Sequence, residues 1–334
     1  MSAAARVGAA VPPALREIQA PVRAELDRAS EELARIVAAD FPLIDDVNHH
    51  LMGMRGKMFR PTLVLLASSV EEQKSPRAIT LAAVVELIHL ATLVHDDAVD
   101  HSSLRRGMPT VNALFSHQIS VIMGDYLYSR ALAELVATSD FEALRVMTRA
   151  TIAMTVGEMR QLAAVDALAF SEADYDELIR SKTASLMSAA CEVGAMSGAP
   201  RYRAALATYG ERLGMAFQVA DDLIDYTEGQ EVTGKPAGLD LREHKVTLPL
   251  IAALRRMPAS ARSRIDALFA SPEPAESEIA DVVSIVTEYG GLDYARRRGE
   301  LFAQQAEDAL STLPESPARG ALYDAIGYVM DRRA

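Results

Sequence analysis

The segment SPRAITLAAVVELIHLATLVHDDAVD, residues 75–100, determines the fold class that we expect. It opens with Ser75 and Pro76, a favoured N-cap residue followed by the residue type that best fits the first helical position. Apolar side chains then recur at three- and four-residue spacing, which is the period of an α-helix. At about 1.5 Å per residue, this helix would be roughly 37 Å long. Because Glu86 and His89 interrupt its apolar run, we predict a buried core helix rather than a membrane span.

The same helical spacing continues along most of the chain. Residues 171–174 resemble a capping box, which is a common helix start. Alternating strand-like runs are rare, and neither an internal repeat nor a Gly/Ser- or Pro-rich linker divides the sequence. We therefore predict an all-α fold, a bundle of long helices around a common core, with one domain over residues 1–334. Further long helices are expected at residues 111–137, 141–165, 174–196 and 201–226, with breaks at 53–61, 101–109 and 228–244.

The composition argues against several functions. Half of the 334 residues are hydrophobic and 5% are aromatic, so the chain can bury a large aliphatic core. Asp and Glu total 46 against 34 Lys and Arg, and the net charge of −12 argues against broad binding to nucleic acid or to an anionic membrane surface. The single cysteine, Cys191, cannot form an intramolecular disulfide, and residues 1–11 lack the features of a secretory signal. We predict a cytoplasmic protein without stable membrane insertion.

Two acidic motifs have the same spacing, D-D-x-x-D. On a helix, residues i and i+4 share a face, so the first and last aspartates of each motif lie together. Carboxylates near a helix C-terminus oppose the macrodipole and repel one another, so a purely structural sequence would avoid them. Each motif therefore indicates a cation site. The first acidic box consists of Asp96, Asp97 and Asp100, and the second acidic box consists of Asp221, Asp222 and Asp225.

The chemistry of the two boxes favours Mg²⁺. Their donors are oxygen atoms only, which suits a hard cation, and neither box has the twelve-residue spacing of an EF-hand calcium loop. Mg²⁺ keeps several waters and usually bridges carboxylates to phosphates, so two facing boxes predict a phosphorylated substrate between them. One such box alone would be interpreted as a solvated helix end. Two boxes of identical spacing, each embedded in apolar residues, make that interpretation unfavourable.

Basic side chains occur where they would meet an anion. The segment GKMFRP, residues 56–61, places Lys57 and Arg60 at the start of an expected helix. His89 lies seven residues before Asp96, two helical turns away on the same face. Taken singly, such residues are equally typical of surface charge or of a core histidine. The remaining candidates are Arg105, Arg106, Lys182, Thr183, Lys235 and Lys245.

The order and spacing of these motifs resemble the trans-prenyl diphosphate synthase family. The resemblance is dense over residues 54–249, where the boxes, the basic segments and the run FQVADDLID at 217–225 occur together. It implies a multi-helix bundle around a deep central cavity, the isoprenoid synthase type I fold. It also implies an enzyme that elongates an allylic diphosphate by successive head-to-tail condensation with isopentenyl diphosphate, with three Mg²⁺ ions per active site and as a homodimer. His244 departs from the family, in which glycine is common at this position.

The resemblance also implies roles for individual residues. Asp96, Asp100, Lys182 and Asp221 form the expected catalytic set. Mg²⁺ would be bound by Asp96, Asp100 and Asp221, with Asp97, Asp222 and Asp225 as further ligands or as residues behind them. The allylic diphosphate would contact Arg105, Lys182, Thr183, Gln218, Lys235 and Lys245. Isopentenyl diphosphate would contact Lys57, Arg60, His89 and Arg106.

The charges of this site predict ionisation chemistry. Cations that stabilise the departing diphosphate allow the allylic C–O bond to ionise, and the double bond of isopentenyl diphosphate then attacks the carbocation. The new cation then loses a proton, and the resemblance implies the released diphosphate as the base. This reaction requires no protein nucleophile. Water would quench the carbocation, so an apolar cavity and a closing loop within residues 228–244 are expected.

Product length is expected to depend on the residues one helical turn before the first acidic box. Ala91 and Thr92 occupy these positions, and both are small. Short-chain members of the family often have an aromatic floor here, so its absence resembles the hepta-, octa- and nonaprenyl group. Another helix, carrying Met123 or Tyr126, is an alternative source of a floor, and close helix packing is an alternative reason for two small residues.

Three other functions are alternatives to a long-chain synthase. One is a short-chain synthase that makes farnesyl or geranylgeranyl diphosphate. A class I terpene cyclase is disfavoured, because its second metal motif is usually of an Asn/Ser/Glu type, whereas this chain repeats D-D-x-x-D. A non-catalytic subunit of a heteromeric synthase would tend to lose aspartates or phosphate-binding cations, and this chain retains them.

Overall fold

The computed structural model describes residues 12–54, 56–73, 75–105, 107–162, 167–227 and 238–331. Their contacts form two compact units. The first unit contains the described residues of 1–151, 186–210 and 310–325, and the second unit contains those of 152–185, 211–309 and 326–334. The single domain expected over the whole chain stays a prediction.

The described elements are almost entirely helical, which confirms the all-α prediction. In the N-terminal half they are α1 (Pro13–Gln19), α2 (Arg23–Val37), α3 (Pro42–Gly53), α4 (Phe59–Ser68), α5 (Pro76–Val99), β1 (Leu104–Arg105), β2 (Met108–Pro109), α6 (Val111–Leu114), α7 (His117–Ala137) and α8 (Phe141–Leu162). They continue with α9 (Glu172–Ile179), a π-helical segment (Arg180–Ala184), α10 (Ser185–Gly198), α11 (Arg203–Thr227) and α12 (Leu239–Arg242). The last are α13 (Leu248–Leu254), α14 (Ala259–Ala270), α15 (Glu276–Glu288), α16 (Gly291–Leu310) and α17 (Pro317–Met330). Single 3-10 turns lie at Ala20–Val22, Ala167–Ala169 and Pro200–Tyr202.

Helix α5 is the centre of the first unit. It packs against α2, α4 and α7, and its residues Leu81, Val85 and Leu87 have no exposed surface. By length and composition it is apolar enough to cross a membrane, but 72% of its most apolar stretch is buried inside the protein. A helix that is apolar on every side and packed on several sides is a core helix, as the sequence predicts.

The second unit packs shorter helices. Helix α13 contacts α9 and α15, and α15 also contacts α14. Tyr175 on α9, Leu250 on α13 and Val286 on α15 are almost completely buried. Burial of these side chains stabilises the C-terminal helices that follow the second acidic box.

Two predicted helix starts differ in how they form. Helix α5 begins at Pro76 with Ser75 as its N-cap residue, but the Ser75 side chain makes no capping hydrogen bond. The capping box before α9 is complete, because the Asp174 amide donates to the Ser171 hydroxyl and the Ser171 amide donates to the Asp174 carboxylate. This second start is therefore confirmed in detail, and the first only in position.

Three boundaries differ from the predicted ones. The helix expected at 111–137 breaks between α6 and α7, where Ser116 caps α7 by accepting from the Ile119 amide at 3.2 Å. The helix expected at 174–196 contains the π-helical segment. The break at 101–109 contains a hairpin that pairs Leu104 with Pro109, with Gly107 at a φ of 74°. Its two-residue strands are too short to produce an alternating apolar pattern, which is why the sequence did not predict them.

Candidate active site

The first acidic box lies at the C-terminal end of α5. Asp96 is half-buried and Asp100 is exposed, whereas Asp97 is only 4% exposed. The Asp100 amide donates to the Asp96 carbonyl at 2.8 Å and so closes the last turn. The box therefore leaves its i, i+4 pair accessible and turns its middle aspartate inward, as helical spacing requires.

The buried aspartate of the first box is paired within the protein. Both carboxylate oxygens of Asp97 accept from Nε of Arg105 at 2.9 Å, and Arg105 is on strand β1. The Ser102 amide donates to the Asp97 carbonyl at 3.0 Å. Asp97 thus holds the hairpin that follows the box, and the Arg105 guanidinium is fixed beside it.

The second acidic box, near the end of α11, divides its residues in the same way. Asp221 is exposed and Asp225 is half-buried, but Asp222 is only 4% exposed. The Tyr175 hydroxyl donates to Asp222 Oδ2 at 2.5 Å, and Gln218 Nε2 donates to Asp222 Oδ1 at 2.9 Å. In both boxes, protein donors satisfy the second aspartate.

Burial and neighbouring charge act together on Asp222. Burial raises the pKa of the Asp222 carboxyl well above its usual range, and the negative charge of Asp240 adds to the rise. Burial likewise raises the pKa of the Tyr175 hydroxyl, so this hydroxyl remains a donor at neutral pH. The second box therefore brings several acidic side chains close together in a partly buried place.

Asp225 connects the second box to α12. Its carboxylate oxygens accept from the amides of Leu239 at 3.1 Å and Asp240 at 3.0 Å. Burial raises the pKa of Asp240 to about 7, with a further contribution from the charge of Asp225. The Lys245 amide donates to the Asp240 carbonyl at 2.7 Å, so the backbone of Lys245 is held beside α12.

Lys182 and Thr183 lie on the π-helical segment. Lys182 Nζ lies 2.5 Å from Glu158 Oε2 and 3.2 Å from Gln161 Oε1, both on α8. The Thr183 hydroxyl donates to Gln218 Oε1 at 2.7 Å. The structure therefore joins two predicted diphosphate ligands, Thr183 and Gln218, to Asp222 of the second box in one hydrogen-bonded chain.

Lys57, Arg60 and His89 lie in the first unit. Arg60 is in the first turn of α4, and its Nη1 is 2.9 Å from His89 Nε2 on α5. Because a guanidinium only donates, the His89 nitrogen that faces it is the acceptor. Gln19 donates to the Lys57 carbonyl at 2.9 Å and fixes the residues before α4. The prediction that residues 56–61 start a helix is confirmed.

The two residues expected to set product length lie on α5. Ala91 is 2% exposed, whereas Thr92 is half-buried and its hydroxyl donates to the His89 carbonyl at 2.8 Å. Met123 on α7 is 2% exposed, and the Tyr126 hydroxyl is 3.3 Å from the Val37 carbonyl. Tyr126 is therefore tied to the end of α2.

The remaining predicted residues are distributed as follows. Lys245 Nζ lies 2.6 Å from Glu243 Oε2, so an anionic ligand would have to compete with this carboxylate. Arg106, Lys235 and most of the expected loop at 228–244 lie outside the described residues.

Several site residues were not predicted from the sequence. Tyr175 and Gln19 are distant in sequence from the groups they hold, and no local pattern distinguishes them. Glu158 and Gln161 are three residues apart on α8, so helical spacing places them on one face, but no local pattern pairs them with Lys182. The sequence likewise assigns no role to Asp240, whose amide donates to Asp225.

The donor set fits Mg²⁺. The carboxylates supply oxygen donors only, and within the described ranges no three His, Cys, Asp or Glu side chains come close enough to hold an ion by themselves. An ion held by one box would therefore complete its coordination with water or phosphate oxygens. Mg²⁺ prefers this arrangement, because it dehydrates reluctantly and commonly shares carboxylates with substrate phosphates.

Comparisons with known proteins identify the relatives of this chain. The sequence profile of the polyprenyl synthetase family matches residues 41–286. An octaprenyl diphosphate synthase from Haemophilus influenzae is 36% identical over 318 residues, 95% of this chain and 96% of the relative. A decaprenyl diphosphate synthase structure from Rhodobacter capsulatus has a TM-score of 0.90 at 33% identity, covering 96% of this chain and 99% of that one. A polyprenyl synthase from Caulobacter crescentus CB15, complexed with calcium and isoprenyl diphosphate, has a TM-score of 0.90 at 34% identity, covering 96% and 98%.

These relatives share both the fold and most of the chain's length. The protein is therefore a prenyltransferase of the all-α class. More particularly, the chain belongs to the polyprenyl synthetase family, since the family profile covers most of its length. The resemblance recognised from the motifs is confirmed.

Proposed function

We propose that the protein is a cytoplasmic, Mg²⁺-dependent enzyme that elongates an allylic diphosphate by repeated condensation with isopentenyl diphosphate to a long all-trans polyprenyl diphosphate. The observation that carries the proposal is the shared design of the two acidic boxes. Each box buries its second aspartate against protein donors and keeps its first aspartate nearer the surface, with Asp96 half-buried and Asp221 exposed. The Caulobacter relative, solved with calcium and isoprenyl diphosphate, supports a divalent metal and a prenyl diphosphate ligand.

The accessible aspartates are the proposed metal ligands. Asp96, Asp100 and Asp221 would hold Mg²⁺. Asp225 would contribute the oxygen lone pairs that its hydrogen bonds with two backbone amides leave available. Bound Mg²⁺ would stabilise the negative charge on the departing diphosphate. Asp97 and Asp222 position their neighbours rather than bind the ion directly, because protein donors already occupy them.

The basic side chains are the proposed diphosphate ligands. Arg105, held by Asp97, and Lys182, held by α8, would bind the allylic diphosphate together with Thr183, Gln218, Lys235 and Lys245. Arg60 and His89, 2.9 Å apart, would bind isopentenyl diphosphate with Lys57 and Arg106. Positive charge at these places stabilises the leaving group and orients the second substrate for attack.

A product assay tests the proposal. Purified protein is incubated with labelled isopentenyl diphosphate, farnesyl diphosphate and Mg²⁺, with EDTA in a parallel sample, and the dephosphorylated products are sized by chromatography. We expect Mg²⁺-dependent products that Asp96→Ala and Asp221→Ala abolish. Asp331→Ala is the control, because Asp331 is an exposed aspartate at a helix end outside both boxes. Metal-independent turnover would contradict the proposal, and no product with any allylic primer would favour a subunit that needs a partner.

Product length is tested at the two small residues before the first box. We expect the wild-type ladder to extend beyond seven isoprene units, as the octaprenyl and decaprenyl relatives suggest. Phenylalanine at Ala91 or Thr92 would then shorten the ladder while elongation continues. A wild-type ladder that ends at three or four units would instead favour a short-chain synthase with its floor on another helix.

We also propose a homodimer formed through α8. Ile152, Val156, Met159 and Leu162 are 60%, 43%, 61% and 60% exposed, and their spacing places them along one side of the helix. An apolar helix face of this extent is typical of a protein interface. Sedimentation analysis should give twice the chain mass for wild type and the monomer mass for an Ile152→Glu/Met159→Glu variant. A monomeric wild type would contradict the dimer and leave the catalytic proposal standing.

A further inference from the structure

The π-helical segment that carries Lys182 and Thr183 is held by two neighbouring helices. Its side chains are held by polar partners, Glu158 and Gln161 on α8 and Gln218 on α11. A π-helical turn holds one residue more than an α-helical turn, so it changes the direction in which successive side chains point. The positions of these two side chains depend on the backbone being kept in this conformation.

Gly157 on α8 brings that helix against the start of the segment. A Cβ atom at Gly157 would lie 2.9 Å from Ser181 Cβ and 3.3 Å from the Lys182 amide nitrogen. The first distance is below any ordinary carbon contact, so a side chain here would displace the segment or α8. Gly157 immediately precedes Glu158, the carboxylate that holds Lys182.

Gly214 on α11 makes the matching contact at the end of the segment. A Cβ atom at Gly214 would lie 2.5 Å from Ala184 Cα and 2.9 Å from Ala184 Cβ. The obstacle is backbone, which cannot rotate away as a flexible side chain would. Gly214 lies one helical turn before Gln218, the amide that holds Thr183.

We propose that Gly157 and Gly214 are positioning residues that fix Lys182 and Thr183 for the allylic diphosphate. Each glycine allows a close approach of one helix, and that helix then supplies the polar partner for the adjacent side chain. The inference rests on the proposed function, since it assigns the allylic diphosphate to these two residues. It predicts that filling either glycine position weakens the binding of one substrate and spares the other.

The first test measures the two substrates separately. For Gly157→Ala and Gly214→Ala we expect kcat/KM for farnesyl diphosphate to fall by about 10- to 100-fold, because small misplacements of diphosphate ligands are costly. The KM for isopentenyl diphosphate should stay within about twofold, since its proposed ligands lie on other elements. Gly320→Ala is the control, because a Cβ atom at Gly320 would meet nothing within 4 Å. Circular dichroism and urea midpoints show whether each variant is folded.

A rescue experiment distinguishes positioning from general damage. In Gly157→Ala the nearest obstacle is the Ser181 Cβ atom, so adding Ser181→Gly should restore most of the lost farnesyl diphosphate affinity. In Gly214→Ala the nearest obstacle is the Ala184 Cα atom, so adding Ala184→Gly should not restore it. The rescued double variant also decides the question if Gly157→Ala alone fails to fold.

Calorimetric binding of inorganic diphosphate with Mg²⁺ separates this inference from the proposed function. A wild-type protein that binds diphosphate but makes no product would contradict the proposed function, and weaker diphosphate binding by Gly157→Ala would still support the glycine roles. The inference is overturned if folded Gly157→Ala and Gly214→Ala bind diphosphate and farnesyl diphosphate as wild type does. It is also overturned if both substrates lose affinity equally, or if wild type binds no diphosphate.

Discussion

At the scale of single residues, each box assigns different tasks to its aspartates. Asp97 and Asp222 are both 4% exposed, and each receives its hydrogen bonds from the protein. A buried carboxylate without donors would cost several kcal/mol, so these partners are needed before any ligand arrives. The accessible aspartates keep the negative charge that attracts a cation. Stability and binding therefore depend on different members of the same motif.

The Asp97–Arg105 pair should respond unequally to removal of either partner. The Asp97 side chain is 6% exposed and that of Arg105 is 31% exposed, so only the arginine can regain water. We expect Arg105→Ala to lower the free energy of unfolding by about 3 kcal/mol, because it leaves a buried charge unpaired. Asp97→Asn should lower it by about 1 kcal/mol. Urea denaturation measures both, and the reverse order would show that Asp97 is less buried in solution than in the structure.

The Tyr175 hydroxyl should contribute more to stability than a similar hydroxyl elsewhere. Tyr175→Phe removes the 2.5 Å donor to buried Asp222, and we expect a loss of about 1.5–3 kcal/mol in the free energy of unfolding. Tyr294→Phe is the matched control, because the Tyr294 hydroxyl also donates to a carboxylate, Glu172, at 2.7 Å. In Tyr294→Phe, Glu172 keeps its ion pair with Arg255 at 2.5 Å. We therefore expect this control to lose less than about 1 kcal/mol in the free energy of unfolding. If urea denaturation gave equal losses of stability for both variants, burial of Asp222 would not increase the contribution of the Tyr175 hydroxyl.

At the scale of helices, close contact between backbones shapes the first unit. A Cβ atom at Gly194 on α10 would collide with the Val64 carbonyl oxygen on α4, and one at Gly198 would collide with the Ser68 carbonyl oxygen. These glycines lie one helical turn apart, so α10 approaches α4 along a line rather than at a point. Glycine is required here for its size, because neither residue has a positive φ.

Filling the contact between α4 and α10 should destabilise the protein. We expect Gly194→Ala to lower the free energy of unfolding by about 2–3 kcal/mol, because the carbonyl oxygen of Val64 cannot move without α4. Gly327→Ala on α17 is the control, since a Cβ atom there would meet nothing within 4 Å. It should raise stability by about 0.5–1 kcal/mol, as alanine does in a helix. If Gly327→Ala were also destabilised, the loss of stability in Gly194→Ala would come from replacing a helical glycine with alanine and not from the contact between α10 and α4.

The sequence predicts those elements whose signal is local. Helix α5 and the capping box at Ser171 were predicted because apolar period and capping chemistry lie within the segment itself. The π-helical segment was missed, since Gly157 and Gly214, which pack against it, are far from it in sequence. The same holds for the site. The spacing of the boxes predicts which aspartates pair, but Tyr175 as the partner of Asp222 required the tertiary structure.

At the scale of the whole molecule, part of the excess negative charge lies in the two acidic boxes. The two boxes contribute six aspartates to a net charge of −12. Both boxes lie near the C-terminal ends of long helices, where the helix dipole also disfavours negative charge. We therefore expect a bound cation to relieve this charge repulsion, so that ligand binding is visible as added stability.

Removal of metal should lower the stability of the loaded protein. With Mg²⁺ and inorganic diphosphate at about 100 times the dissociation constant, we expect about 2.7 kcal/mol of added stability, and EDTA should remove it. Thermal unfolding measures the change in Tm. Asp221→Ala should show a reduced gain, whereas Asp331→Ala, outside both boxes, should show the full one. An equal gain in both variants would place the bound metal elsewhere.

Cys191 offers a single chemical probe of opening in the first unit. It has no exposed surface, and burial raises the pKa of its thiol well above the usual range, so it has neither access nor thiolate character. We expect a disulfide reagent at pH 8 to leave the native protein unlabelled and to modify one thiol per chain in guanidinium. Cys191 lies one helical turn before Gly194, so Gly194→Ala should speed labelling of the native protein while Gly327→Ala does not. Rapid labelling of the wild type would mean that α10 opens readily, and the tight packing against α4 would then not limit its motion.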